Sequence, residues 1–426
     1  MNAAPVPVSD LAGPAGDQFE RYAAAPYEYL RSLRTYGSIV PVDLSGVRTA
    51  VLYDLRAINT VFVDRLEHVG RPLVFERLTR VMGSGLITNY DWDLWLSRRR
   101  RIARPLGART VGRLHERMCE IIDDELGRWP TGEVFELQDA VKQLTLRVVA
   151  DLLFSNDLTS EAVEVIAAAV AEIHAWAEAD PANADVDAEP ASLVAAMAAL
   201  DKYIARVLDA RSPLNPGDDM MGLLLAAVGE PAARLDRRGV RDEAVTLILA
   251  GHETVTNTIC FAIDLLGRHR EHADEPARFV VDETLRLYPP VHITNRAITK
   301  NLTVNGDSGS EEPLHVLLPA GWEVLVPEYV IYRDPQHFER PAEFLPQRWA
   351  DGSPLHLDRR AYFPFLTGPK FCVGRHFALL EATETVERFR VRFDHEMMDP
   401  VPPWGREFAV SFAPDRPMSI RLNERP

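Results

Sequence analysis

An α+β fold, mostly α, is the class this chain predicts, and three observations carry it. Apolar residues recur at helical spacing over 111–129, 137–154, 161–178, 191–210 and 242–268. Short β-prone runs stand early, at 39–42 and 49–53, and again late, at 314–318, 323–326, 408–412 and 418–422. No Gly/Ser-rich or Pro-rich linker breaks the interior, so residues 17–426 read as one domain behind a flexible N-terminus at 1–16, rich in Ala, Pro and Gly.

Taken in order, the first element is a helix over 19–36, followed by two strands that turn through Ser45-Gly46. The helical segments then succeed one another to residue 268, and a further helix ends where Tyr288 meets Pro289-Pro290, because proline disfavours the helical conformation of the residue before it. The late runs at 314–318 and 323–326 flank Pro319-Ala320-Gly321 as a hairpin would, and 408–412 and 418–422 flank Ala413-Pro414-Asp415 in the same way. With 46% hydrophobic and 26% charged residues, the chain has enough apolar surface for a large buried core.

Composition also excludes several functions. A formal net charge of -16 argues against general nucleic-acid binding, which needs a basic surface. The first residues hold no basic segment followed by an apolar one, and no stretch is long enough to span a membrane, so a cytoplasmic protein without an anchor is expected. Three cysteines, Cys119, Cys260 and Cys372, form no paired spacing, which fits a reducing compartment and gives no C-x-x-C metal site.

The most informative cysteine is Cys372, in Phe365-Leu366-Thr367-Gly368-Pro369-Lys370-Phe371-Cys372-Val373-Gly374-Arg375. Backbone N–H groups and the positive end of the following helix keep a thiolate ionised in such a loop, and Gly368 and Gly374 let the chain pass close under a flat ligand. The pattern F-x-x-G-x-x-x-C-x-G resembles the haem-ligand signature of the cytochrome P450 family. Phe365, Cys372 and Gly374 match it, whereas Leu366 stands where glycine is usual and Lys370 where His or Arg is more frequent.

Four further segments carry the resemblance. Glu283-Thr284-Leu285-Arg286 places an acid and a guanidinium one helical turn apart, and Phe344-Leu345-Pro346-Gln347-Arg348-Trp349 follows some sixty residues on. By resemblance Glu283, Arg286 and Arg348 form a structural triad. Ala250-Gly251-His252-Glu253-Thr254 lies inside an apolar helix, where a glycine and a back-bonding threonine open a groove. The resemblance makes Glu253 and Thr254 the acid-alcohol pair that delivers protons to dioxygen; His252, alone among ligand types there, receives no role. Trp95-Leu96-Ser97-Arg98-Arg99-Arg100-Arg101 resembles the family's W-x-x-x-R element. Counting from Trp95 selects Arg99, and counting back from Pro105 selects Arg100. Arg296, after the paired prolines, matches the propionate arginine, and Lys370 is a further basic partner.

The resemblance covers nearly the whole chain and implies a cytochrome P450 fold. This is a helical prism with a small β-rich region, and haem b (iron protoporphyrin IX) is held between the long central helix and the Cys372 loop. It implies a monooxygenase that inserts one atom of O2 into a C–H bond, with Cys372 as axial iron ligand and electrons from NAD(P)H through a separate ferredoxin or flavodoxin. Desaturation or oxidative coupling is the alternative outcome, and a non-catalytic partner-binding homologue is a second one. Around the haem the resemblance places Leu247, Ala250, Val291, His292, Ile293 and Val410, mostly apolar and without a guanidinium for a carboxylate. Acids at Glu172, Glu178, Asp180, Asp185, Asp187 and Glu189 line the expected entrance. A neutral or cationic natural product of moderate size, bound by a monomer, is therefore the expected substrate.

Overall fold

In the computed structural model, residues 4–155, 158–177, 189–211, 216–217, 219–230, 234–307, 314–400 and 411–425 are described. They fall into two compact units, one of Met1–Leu73, Asp274–Cys372 and Gly405–Phe408, the other of Val74–Ala273, Val373–Trp404 and Ala409–Pro426.

The first unit is built on sheets. Ser45 and Gly46, with φ of 57° and 84°, turn strand Ile39–Leu44 back onto Val47–Leu52, the left-handed pair that a two-residue hairpin requires. A five-stranded sheet then runs Ile39–Leu44, Val47–Leu52, Glu323–Val326, Thr294–Ile298, Val69–Gly70. The expected hairpin of 314–318 with 323–326 does not form. Glu323–Val326 is buried at all four positions and is paired on both sides, parallel to Val47–Leu52 and antiparallel to Thr294–Ile298, so no edge is left for its chain neighbour. Leu314–Leu318 instead joins a second sheet between Val6–Pro7 and Leu302–Gly306. The N-terminal segment that composition marks as loose thus contributes a short strand, and Val8 after it is fully buried.

The helix expected over 19–36 is two helices, Phe19–Ala24 and Pro26–Leu33. Pro26 starts the second, and Ala25 before it is pushed to φ -156°, ψ 75°.

Helices dominate the second unit. Leu137–Phe154 and Ala191–Ala210 match their expected bounds, while the long central helix starts earlier than expected and runs Arg237–Arg268, because Asp236 caps it by accepting from Gly239 N–H at 2.7 Å. It lies against Leu137–Phe154 so closely that a Cβ on Gly251 would meet Val149 Cγ2 at 3.0 Å. The Thr145 and Thr256 hydroxyls bond across the same seam at 2.6 Å.

A three-stranded antiparallel sheet, Phe393–Met397, Ser419–Glu424, Val134–Glu136, completes the unit. The last strand therefore pairs with two distant segments, and residues 408–410 of the expected second hairpin lie outside the described residues.

His395 in this sheet is buried, with Nε2 3.0 Å from Ile263 O, and burial pushes its pKa down to about 4. Its folded pKa lies below the unfolded value, so protonation favours unfolding as pH falls from about 6.5 towards 4. Replacing His395 by Gln is therefore expected to narrow its stability gap to the wild type by about 2 kcal/mol between pH 7 and pH 5. Urea titrations of both proteins at the two pH values check this, and a constant gap would contradict it.

Candidate active site

The Cys372 loop belongs to the first unit. Cys372 N–H donates to Phe365 O at 2.8 Å and Phe371 N–H to Gly368 O at 3.0 Å, which folds the loop into two nested turns. Gly368 takes φ 72°, and a Cβ there would stand 2.1 Å from Phe62 O. Leu366 also takes a left-handed φ, 59°, so the loop keeps a glycine-type backbone although the side chain is leucine. That conformation costs about 1–2 kcal/mol for a residue with a Cβ.

Leu366→Gly is accordingly expected to raise unfolding free energy by about 1 kcal/mol, whereas Gly368→Ala should lower it by about 2–3 kcal/mol through overpacking. Thermal melts that moved both variants in the same direction would contradict this.

The other two thiols are poor candidates for a ligand. Cys260 is fully buried, and burial drives its pKa far above the usual thiol range. Burial, and then the Glu384 carboxylate, raise that of Cys119. His115, Cys119 and Glu384 do bring ligand atoms within 4.8 Å of one another. However, Arg388 Nε stands 3.5 Å from Glu384 Oε2, so that carboxylate already has a cation.

Glu283, Arg286 and Arg348 come together with both ion pairs fully buried. Arg286 grips the carboxylate with two prongs, Nε to Oε2 at 3.0 Å and Nη2 to Oε1 at 2.7 Å, and Arg348 Nε donates to both oxygens at 3.1 and 3.2 Å. Leu345 N–H and Trp349 Nε1–H, neither singled out from the sequence, add donors at 3.0 Å each. The remaining guanidinium N–H groups reach backbone carbonyls: Arg286 those of Tyr332, Pro341 and Glu343, and Arg348 those of Glu339 and Arg340. One carboxylate thus ties the helix Ala277–Leu287 to the 340–349 segment of the same unit.

Arg296 is 5% exposed, yet only one of its N–H groups finds a protein acceptor among the described residues, Nη1 to Asn295 O at 2.7 Å. Its guanidinium lies over the Phe62 ring at 4.7 Å, and no carboxylate pairs with it among the described residues. Burial pushes the pKa of nearby Glu328 up to about 8. A buried cation with donors in reserve is suited to an anionic ligand group. His292 and, on the strand Thr294–Ile298, Arg296 are buried, while Val291 and Ile293 are half-buried. His292 is tied to Tyr27, Nδ1 to OH at 2.8 Å. Lys370 is half-buried.

The second unit holds the remaining candidates. Leu247, Ala250 and Thr254 are half-buried along a helix whose neighbouring positions are mostly buried. Their spacing of three and four residues makes one stripe that protein leaves partly uncovered. Thr254 Oγ1 donates to Ala250 O at 2.8 Å, and Thr256 and Thr258 bond back to His252 and Thr254 carbonyls in the same manner, a pattern that bends helices.

Trp95 is buried, and the Arg99 guanidinium lies 5.2 Å from its ring centre, while Arg100 is exposed. Arg98, undistinguished in the sequence, is a core residue bound to Glu243 Oε1 at 3.3 Å and Ser84 Oγ at 3.1 Å. Burial pushes the Glu243 pKa up to about 7. Val410 and the acids Glu178, Asp180, Asp185 and Asp187 lie outside the described residues; Glu172 is half-buried and Glu189 exposed.

Within the first unit, a thiol on a loop with a left-handed Leu366 and a buried arginine with unused donors each suit a thiolate-ligated, anionic cofactor. Among the described residues no helix is long and apolar enough to cross a membrane. The cytochrome P450 family model matches residues 16–275 and 277–418. Cyclooctatin synthase of Streptomyces melanosporofaciens is 28% identical, over 89% of this chain and 87% of that protein. The same organism's cyclooctat-9-en-7-ol 5-monooxygenase is 26% identical, over 86% of this chain and 85% of that protein. The cytochrome P450DA haem domain superposes with a TM-score of 0.81 at 20% identity, covering 99% of this chain and 98% of that one, a likeness of fold. The chain therefore belongs to the cytochrome P450 family and is a haem-thiolate monooxygenase.

Proposed function

We propose that the chain inserts one oxygen atom of O2 into a C–H bond of a neutral, largely apolar natural product, using haem b held by Cys372. The observation that supports Cys372 most is the contrast in exposure among the three thiols, since Cys119 and Cys260 are buried and Cys372 is half-buried on its loop. Arg296, Arg99 with Trp95, and Lys370 would hold the propionates, and Phe365 and Gly374 would shape the loop beneath the ring. Thiolate-ligated haem, when bound, supplies the activation of dioxygen.

The overall reaction consumes substrate, O2, two electrons and two protons and yields the hydroxylated product and water. The electrons would come from NAD(P)H through a separate ferredoxin or flavodoxin. The protons are the part this chain's residues govern: Glu253 holds and transfers them, and Thr254, whose hydroxyl now bonds Ala250 O, would turn to relay them. Residues 17–426 would act as one domain, as a monomer in the cytoplasm.

The substrate reading rests on the apolar stripe of Leu247 and Ala250, on Val291 and Ile293, and on the compound in a relative's name, an unsaturated cyclic alcohol. Terpenoid olefins and alcohols are therefore the proposed class. Spectral titration of the haem with matched alcohols and carboxylic acids, cyclooctat-9-en-7-ol among the alcohols, tests it. Neutral members should bind at least about tenfold tighter, a difference near 1.4 kcal/mol. Consistently tighter binding of the acids would overturn the reading.

A further inference from the structure

The chain is acidic overall, with a formal net charge of -16, yet it enters its long helix through Arg234-Leu235-Asp236-Arg237-Arg238-Gly239. Arg237 is paired with Asp209. Arg234 and Arg238 are exposed, and neither guanidinium has an acceptor among the described residues. Both line a pocket of about 410 Å³ in the second unit, together with Ser84, Glu230, Asp236, Gly239 and the buried Arg98. Arg234 also holds a left-handed φ of 48°, a strained backbone of the kind that gathers at ligand-binding sites.

Arg98, on the helix Trp92–Ala103, is 5% exposed and spends a single nitrogen on protein acceptors. Its Nη1 reaches Glu243 Oε1 at 3.3 Å and Ser84 Oγ at 3.1 Å, and bonds Ser84 O as well. Nε and Nη2 make the other edge of the guanidinium, the edge with which Arg286 grips both oxygens of Glu283. On Arg98 neither of them has an acceptor among the described residues, and Nε is shielded from water. Gly239 leaves room beside this edge, since a Cβ there would stand 2.8 Å from Nη2. Buried donors left without acceptors are rare and costly, so the edge is suited to a ligand that brings two oxygens.

The two acids of the lining are already engaged. Glu230 is bound to Arg101, and Asp236 caps the long helix by accepting from Gly239 N–H at 2.7 Å. The helix dipole is thereby met, and the charge still unmet in the pocket is that of the guanidiniums.

We propose that this pocket binds a phosphate group, either free or as the ester of a small metabolite, with Arg98 Nε and Nη2 holding two oxygens and Arg234 and Arg238 holding the rest. A phosphate ester brings close to two negative charges and three acceptor oxygens, which three guanidiniums can share, whereas a carboxylate brings one charge and two oxygens. The pocket is larger than the phosphate group alone, so an attached organic part has space. The assignment is independent of the haem and of the oxidation chemistry.

Equilibrium dialysis of the haem-loaded chain against radiolabelled inorganic phosphate, in chloride buffer at about 0.15 M ionic strength, tests it. One saturable site is expected in the wild type. Arg234→Gln and Arg238→Gln, both at exposed positions, should each weaken binding about tenfold, the loss of one charge-assisted hydrogen bond. Gly239→Ala, which sets a methyl group against Arg98 Nη2, should weaken it at least as much. Arg360→Gln removes the same charge at an 85% exposed position of the first unit and should stay within about twofold of wild type, because exposed charges are screened.

Unlabelled glycerol phosphate and acetate, added as competitors, identify the ligand. Glycerol phosphate displacing the label at lower concentration than phosphate itself assigns the rest of the pocket to an ester, and the reverse order assigns free phosphate. Acetate competing as well as phosphate overturns the proposal. So does the absence of saturable binding in the wild type, undiminished binding in the Arg234, Arg238 and Gly239 variants, or an equal loss in Arg360→Gln.

Discussion

Replacing Glu283 by Gln is expected to lower the unfolding free energy by about 3–5 kcal/mol, the cost of leaving buried guanidinium charge uncompensated. Five donors converge on this carboxylate, from Arg286 Nε and Nη2, Arg348 Nε, Trp349 Nε1 and Leu345 N, and water reaches neither arginine. An amide offers one oxygen in place of two and turns an NH2 towards donors. The loss is thus larger than that of a surface ion pair, which is worth at most about 1 kcal/mol.

Arg348→Lys is the companion variant. It retains the charge but gives up the fork that reaches Glu339 O and Arg340 O, so a smaller loss is expected. Denaturant titrations of both variants measure this, and a Glu283→Gln protein within about 0.5 kcal/mol of wild type would show that the network supports nothing, since buried pairs broken on one side cost several times that.

The second large effect is on proton delivery. Glu253→Gln is expected to slow product formation by about a hundredfold, the low end of what a positioned acid or base contributes. Thr254→Ala should retain its haem and consume electrons, but release peroxide in place of product. The hydroxyl that it removes bonds Ala250 O, so the change also frees that backbone carbonyl of the long helix. Product and peroxide per electron, measured with a substrate found in the spectral titrations, decide the matter. Unchanged coupling in both variants would take these residues out of the mechanism.

Local signals in the sequence were legible where they acted alone. The bounds of Leu137–Phe154 and Ala191–Ala210 followed from apolar periodicity, and the hairpin at Ser45-Gly46 from its turn residues. The two late hairpins were not, because adjacency in sequence says nothing about which edge is already taken. Glu323–Val326 is flanked by strands from residues 47–52 and 294–298, and Ser419–Glu424 by strands from 393–397 and 134–136.

The Glu283, Arg286 and Arg348 cluster could be singled out because each lies at a fixed offset from a recognisable neighbour. Which arginine of a run of four enters the core could not, since Arg98 is decided by Glu243, 145 residues away in sequence. The donors from Leu345 and Trp349 are products of packing between elements. Position 366 marks the opposite case. The leucine there reads as a departure from a glycine pattern, yet its φ of 59° shows the loop unchanged in kind and strained in energy.

The central claim is that Cys372 alone supplies the thiolate that ligates the haem. It is tested most directly by the reduced carbon-monoxide difference spectrum of the wild type and of Cys372→Ser, Cys119→Ser and Cys260→Ser prepared in parallel. The spectrum characteristic of thiolate-ligated haem should vanish in Cys372→Ser and persist in the other two. Its persistence in Cys372→Ser, or its loss in Cys119→Ser with Cys372 intact, would contradict the account.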